Sequence, residues 1–340
     1  METEAYYAAL REKYQKIMEQ FVYQGKEPEA KERLRHLFQN QRVSVPSLSP
    51  DPQDWNVWTE RCIQNADWPG LCRIVNQRGK SGMLPVIYGG YNYERNFHCM
   101  LECLVCGNTQ AVERLLPPEL AQVKNCNDPF FPAAAHVMIG LWYRDGSILE
   151  WAVPDAEKFL TRKKSTQLEK AMVSFLLDLV RGDIGRGSED LLAVCKGYPR
   201  DQKYVLGARP FCTLAHGLYC LAQLLLPEED FQALQMPEYK NFLPAFALWR
   251  REHPKPELSL WLPYPEDLAL FNGIYEAPPA RLVLWQPFLR DDYVKPRQRQ
   301  DWMAHGVKWV DHYVDELWDM GVGREGTVQL PKTAGIPVKT

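Results

Sequence analysis

The residues with the most reactive side chains are nine cysteines, two of which form the spacing Cys103-Leu-Val-Cys106. Cysteines two residues apart are typical of redox and zinc sites. Here no strand precedes the pair, no second pair follows at zinc spacing, and most cysteines lie in apolar helical runs. We therefore interpret them as small buried hydrophobic residues in a reducing compartment. Cys62 and Cys72, each near a predicted helix start, are the alternative candidates for activated thiols.

Other catalytic patterns are incomplete. Gly79-Lys80-Ser81 resembles the end of a phosphate-binding loop, but Ile74 occupies the position where that motif requires glycine. The seven histidines are scattered, and His305 and His312 lack the four-residue spacing with an intervening Glu that marks helical zinc peptidases. No G-x-S-x-G elbow is present. We therefore expect no enzymatic activity, no cofactor and no metal, and an enzyme whose site is assembled from dispersed His, Asp and Glu is the third alternative.

The elements that carry these residues are helical. An apolar helix, a tight glycine turn and a second amphipathic helix recur three times between positions 95 and 195, with turn glycines at Gly107, Gly146 and Gly182. The turns are 39 and 36 residues apart, close to the roughly 34 to 47 residues of known two-helix repeats. The predicted helix pairs are Phe97–Cys106 with Thr109–Leu116, Ala133–Tyr143 with Ile148–Leu160, and Lys170–Arg181 with Ser188–Cys195. The pattern predicts an all-α array of stacked helical hairpins, a degenerate α-α repeat without substantial sheet.

The rest of the chain is organised around this array. We predict an N-terminal helical hairpin at 1–40 that acts as a polar cap, a linker at 41–53, the array at 54–235, a proline-rich C-terminal helical part at 236–320 and an extended tail at 321–340. Within these units we expect a structured surface loop at 79–96 and helices at 209–226, 268–275, 280–289 and 298–320.

Composition excludes several partners. The net charge of −3 gives no overall electrostatic case for nucleic acid or a membrane surface. No stretch approaches the roughly 18 apolar residues of a membrane span, and the N-terminus lacks the form of a signal peptide. We expect a cytoplasmic protein whose oligomeric state stays open.

Aromatic residues favour a binding function. The chain has 11 Trp and 16 Tyr, more than core filling requires, and aromatic residues on loops are common interface anchors. An acidic column on the predicted helix 298–320 could also meet a basic partner. For each residue, packing beneath a loop or a solvated helix face is the alternative. The candidate partner-binding residues are Tyr88, Tyr91, Tyr93, Trp261, Tyr264, Asp311, Asp315 and Asp319.

Three segments within about residues 96–276 resemble all-helical bacterial immunity proteins of polymorphic or contact-delivered toxin systems. They are FHCMLECLVCGNTQAVERLL, LTRKKSTQLEKAMVSFLLDLVRGD and FCTLAHGLYCLAQLLL. The shared features are an apolar helix ending in Gly-Asn or Gly-Asp, a half-buried Lys-Lys run before the next helix, and a helix containing Ala-His-Gly-Leu. The resemblance implies a cytosolic, non-catalytic protein that binds one cognate toxin, encoded by a neighbouring gene, and covers its active site. The second alternative is a helical-repeat scaffold or regulator with another protein partner.

Overall fold

The computed structural model describes residues 3–23, 29–39, 52–85, 93–122, 129–200, 210–283 and 299–324. These residues form fifteen α-helices and no strand, so the predicted all-α class is confirmed for this part of the chain. The helices are α1 Thr3–Tyr23, α2 Ala30–Gln39, α3 Pro52–Gln64, α4 Trp68–Gly82, α5 Tyr93–Val105, α6 Gln110–Leu115, α7 Phe130–Trp142, α8 Gly146–Leu160, α9 Gln167–Arg181, α10 Ile184–Gly197, α11 Thr213–Leu225, α12 Glu228–Ala233, α13 Pro244–Glu252, α14 Ala269–Glu276 and α15 Arg299–Asp319. None of these helices is long and apolar enough to cross a lipid bilayer.

The three predicted hairpins correspond to α5–α6, α7–α8 and α9–α10. Gly107 and Gly182 have φ angles of +77° and +67°, the left-handed conformation with which glycine ends many helices. The second turn is built differently, because Arg144 has the positive φ. The side chain of Asp145 caps α8 by accepting hydrogen bonds from the backbone N–H groups of Ser147 and Ile148. Gly146 therefore begins the helix, and the turn is made by the two residues before it.

Successive helices stack on one another, and α5 lies at the centre, where it contacts α4, α6, α7 and α11. Glycines permit the closest of these approaches. A Cβ added to Gly79 of α4 would lie 2.8 Å from the backbone oxygen of Cys99, and one added to Gly217 of α11 would lie 2.8 Å from that of Leu101. The two neighbouring helices therefore pack on α5 at distances that no larger residue permits.

The N-terminal hairpin and the C-terminal helix pack together. Phe38 of α2 meets Tyr313 of α15 edge to face, with ring centroids 5.5 Å apart, and Tyr6 of α1 lies 3.2 Å, oxygen to oxygen, from Tyr264. One hydrophobic core extends from Tyr6 to Leu317. The prediction that this hairpin forms a polar cap is therefore corrected: it covers the core jointly with the C-terminal helical part.

Several predicted boundaries change. Positions 79–82 were expected in a surface loop, but they form the last turn of α4, and Gly79, Lys80 and Ser81 are buried in it. Residues 277–283 are not helical, contrary to the helix predicted from position 280, and α11 begins at Thr213 and not at position 209. The described residues do not include 40–51, most of the predicted linker, or 325–340, most of the predicted tail. Pro52, predicted as linker, begins α3.

Candidate partner-binding surface

The aromatic candidates that the structure describes, Trp261 and Tyr264, are at least partly buried. Tyr88 and Tyr91 lie outside the described residues, as does the side chain of Tyr93 at the start of α5. Trp261 is partly buried and packs at 6.4 Å, centroid to centroid, on Trp58. Tyr264 is only 5% exposed, so it belongs to the core and is not a surface anchor.

The acidic column faces another helix of the same chain. Asp311 accepts from the Arg35 guanidinium at 2.7 Å, and Asp315 lies 2.7 Å from the Lys31 ammonium, so two of the three carboxylates pair with α2. Asp319 is exposed. The column that the sequence offered to a basic partner is therefore occupied in part by α2 of the same chain.

The candidate catalytic groups are enclosed by the core. Cys103 and Cys106 are fully buried, and burial raises the pKa of each thiol well above its usual value. Lys80 donates to the backbone oxygen of Tyr275, and burial lowers its pKa to about 8. Because Lys80 lies inside α4, its segment forms no phosphate-binding loop. Among the described residues, no group of three or more His, Cys, Asp or Glu side chains could hold a metal ion.

His216 is the most enclosed of the described histidines. Its Nε2 accepts from the backbone N–H of Leu243 at 3.0 Å, and its ring stacks on Phe242 with centroids 4.0 Å apart. Burial lowers its pKa to about 3, so the imidazole is neutral near neutral pH. His216 is therefore a hydrogen-bonded histidine of the core.

A cluster of basic residues, not anticipated from the sequence, lies at one end of the array. The C-terminus of α8, the following loop, the N-terminus of α9 and the C-terminus of α10 come together there, because α9 and α10 form a hairpin. Its cations are Lys158, Arg162, Lys163, Lys164, Lys170, Lys196 and Arg200. We call this surface the basic end. Lys163 and Lys164 are exposed there, and not half-buried as the resemblance implied.

The cations of the basic end lack counter-charges. None of them lies within ion-pair distance of a carboxylate in the described part of the chain. Elsewhere many cations are paired, for example Arg78 with Glu102 at 2.8 Å, and Arg114 with Glu316. The helix dipole stabilises the charges of Lys158 and Lys196, which lie near helix C-termini. The charge of Lys170, near the N-terminus of α9, interacts unfavourably with the dipole of that helix.

The first of two grooves in this region runs between α7 and α8 and has a volume of about 680 Å³. Its lining is Ala121, Pro129, Pro132, Ala133, His136, Trp151, Asp155, Lys158, Phe159 and Arg162. We call it the α7–α8 groove. The Trp151 side chain remains 38% exposed and meets His136 edge to face, with centroids 4.8 Å apart. The groove therefore combines apolar surface with two cations.

The second, the α9–α10 groove, has a volume of about 740 Å³ and is bordered by Lys170, Lys196 and Arg200. Asp190 also lines it. Asp178 of α9 lies beside Asp190, and burial followed by the neighbouring carboxyl raises the pKa of Asp178 to about 7. The inner side of this groove therefore carries a carboxyl pair that retains a proton at mildly acidic pH.

No protein-family model, curated protein or solved structure matches the chain. The chemistry of its surface therefore provides the functional argument. Unpaired cations beside open grooves can bind carboxylates or other anions, and an exposed indole can contact apolar or aromatic groups. The sequence signal for this surface was the run Arg162-Lys163-Lys164 directly after a helix end, but only the fold brings Lys196 and Arg200 beside it.

Proposed function

We propose that the protein is a stoichiometric immunity protein that binds a cognate bacterial toxin and blocks its active site. The observation that carries this proposal is the basic end: seven cations without counter-charges in the described chain, beside two open grooves. A surface rich in cations that form no ion pairs, bordered by grooves, is suited to an acidic partner protein.

Electrostatics gives this surface a specific role in association. Neighbouring cations without ion pairs repel one another in the free protein, and an acidic partner relieves that repulsion on binding. Such rim charges chiefly raise the association rate and select the partner, while apolar contacts hold the complex. A protein that must capture a toxin before it acts benefits from fast association.

The resemblance to immunity proteins supports the same conclusion. The segment LTRKKSTQLEK includes Arg162, Lys163, Lys164 and Lys170, so it supplies more than half of the basic end. On this proposal the partner is a protein toxin encoded by a neighbouring gene, and binding takes place in the bacterial cytoplasm without nucleic acid or membrane.

Co-expression with the product of the neighbouring gene tests the function. That product should arrest growth when it is expressed alone and be harmless when this protein is present. The two should also co-purify as a complex of fixed stoichiometry. A neighbour that is neither toxic nor bound contradicts the proposal. Protection without a complex contradicts it as well, because a stoichiometric inhibitor must bind its target.

A further inference from the structure

We propose that the α7–α8 groove is the anchor site for an acidic segment of the partner protein that carries one aromatic side chain. The inference deepens the proposed function and rests on it only in taking that partner to be the toxin. Three residues of α8, Trp151, Asp155 and Lys158, line the groove, and Arg162 joins them from the segment just after the helix. The spacing of four and three residues places the first three on one face of α8.

The apolar half of the groove is suited to an aromatic side chain. Pro132, Ala133 and Phe159 line it together with Trp151. The indole meets His136 through an edge-to-face contact and keeps more than a third of its surface accessible. Aromatic rings prefer offset-stacked or edge-to-face partners, and a large exposed aromatic beside a groove is typical of an interface anchor.

The charged half is suited to carboxylates. Lys158 of α8 and Arg162 of the following segment line the groove and have no ion pair with a described residue. Asp155 is the one carboxylate among the lining residues, and it forms no ion pair with Lys158. Lys163 and Lys164 follow at once in the chain, so positive charge continues beyond the groove. An acidic segment could therefore place its aromatic residue against Trp151 and its carboxylates at the cations.

The size of the groove agrees with a side-chain anchor. Its volume of about 680 Å³ falls within the roughly 300 to 1,000 Å³ of sites that enclose small ligands. That space accommodates one aromatic side chain and the adjoining backbone. A folded partner domain is too large to enter the groove. It would contact the rim and insert only its acidic segment.

The distribution of charge favours a protein over a nucleic acid. Glu150 and Glu157 are exposed on the same helix, and Asp155 lines the groove itself. A phosphate backbone would approach these carboxylates, whereas an acidic peptide can place its few charges at the cationic end alone. We therefore include single-stranded DNA as a competing ligand in the test, and its binding would count against the inference.

The first experiment titrates the full-length protein with fluorescein-labelled peptides and follows fluorescence anisotropy. The probes are Glu-Asp-Phe-Asp-Glu, the same peptide with Ala in place of Phe, Lys-Lys-Phe-Lys-Lys, and an oligothymidylate of similar length. We expect the acidic aromatic peptide to bind best and to weaken as salt is added. Equal or tighter binding of the basic peptide or of the oligothymidylate would overturn the inference.

Paired variants locate the binding. The double substitution Lys158→Glu and Arg162→Glu should raise the dissociation constant of the acidic aromatic peptide at least about tenfold. The double substitution Lys255→Glu and Lys308→Glu makes the same change in net charge at exposed, unpaired cations elsewhere, and it should leave the constant unchanged. Equal losses in both variants would mean that only net charge matters, which refutes an anchor in this groove.

The aromatic contact has its own pair of variants. Trp151→Ala should weaken the peptide that contains Phe and leave the peptide that contains Ala unaffected, whereas Leu248→Ala, at a side chain 50% exposed, should change neither. Thermal unfolding of each variant establishes that it is folded. A Trp151→Ala protein that binds both peptides as the wild type does would refute the aromatic anchor.

The toxin assay separates the two proposals. If the wild type protects cells and the variant carrying Lys158→Glu and Arg162→Glu protects equally, with an unchanged dissociation constant for the toxin, the groove inference fails and the function stands. If the wild type gives no protection but the peptide titrations behave as expected, the proposed function fails and the groove remains a site for acidic segments.

Discussion

Replacing Gly217 by alanine should destabilise the fold, because this glycine allows α11 to lie directly on α5. The new Cβ would lie 2.8 Å from the backbone oxygen of Leu101 and 2.9 Å from its Cβ. Neither atom can rotate away, since both are fixed by the helical backbone. To restore an ordinary contact of at least 3.4 Å, the helices must separate locally by about 0.6 Å.

The size of the expected change in the free energy of unfolding follows from two opposing effects. Forcing an extra methyl group into a packed core costs about 1–3 kcal/mol, while alanine is the better helix former by about 1 kcal/mol. The first effect is the larger at Gly217, so we expect a net loss of about 1–2 kcal/mol. Gly187 of α10 is the matched control: its added Cβ would meet nothing closer than 3.7 Å, so alanine there should stabilise by about 0.5–1 kcal/mol.

Urea unfolding followed by far-ultraviolet circular dichroism measures both changes. Gly217→Ala should lower the urea midpoint and Gly187→Ala should raise it. The slope of the unfolding free energy against urea concentration should be unchanged in each case. If both substitutions move the midpoint in the same direction by similar amounts, the close crossing of α11 and α5 does not determine the loss of stability. The reasoning from contact distances would then be refuted.

Two further predictions concern charged groups. Because the folded protein keeps a proton on the Asp178–Asp190 pair that the unfolded chain releases near pH 4, the free energy of unfolding should fall as pH rises from about 4 to 7, by up to about 1.4 kcal/mol per pH unit. Asp178→Asn should flatten this dependence in urea titrations across that range, and an unchanged slope would contradict the assignment. The half-exposed Arg35–Asp311 pair should contribute about 0.5 kcal/mol in a double-mutant cycle with alanine, and a coupling energy several times larger would show that solvent does not screen it.

The helical hairpins were predictable because their signals are local. Periodic apolar residues define each helix, and a glycine with positive φ, such as Gly107 or Gly182, ends it. The capping box of Thr166 and Glu169 at the start of α9 is equally local. The buried end of α4 was missed because glycines at 79 and 82 were interpreted as loop residues, whereas they are helical positions pressed against Cys99 and Cys103 of α5.

The pairing of distant helices was not predictable from these signals. The side chains that join the two ends of the chain, such as Tyr6 with Tyr264 and Phe38 with Tyr313, are more than 250 residues apart. Periodicity shows that α15 has an apolar stripe and an acidic column beside it, but not which element each meets. The sequence therefore does not reveal that α2 supplies Lys31 and Arg35 to the acidic column.

The net charge of the chain does not describe how charge is distributed over its surface, as the basic end illustrates. A net charge of −3 suggested a surface without electrostatic preference, yet that figure counts paired and unpaired charges alike. Where α2 and α15 meet, opposite charges such as Arg35 and Asp311 neutralise one another within the chain. At the basic end no such neutralisation occurs among the described residues. A partner approaching within a Debye length, about 8 Å at physiological salt, experiences this local field and not the total charge. On the proposed function, the segregation of unpaired cations at one end is what would direct an acidic partner to the grooves.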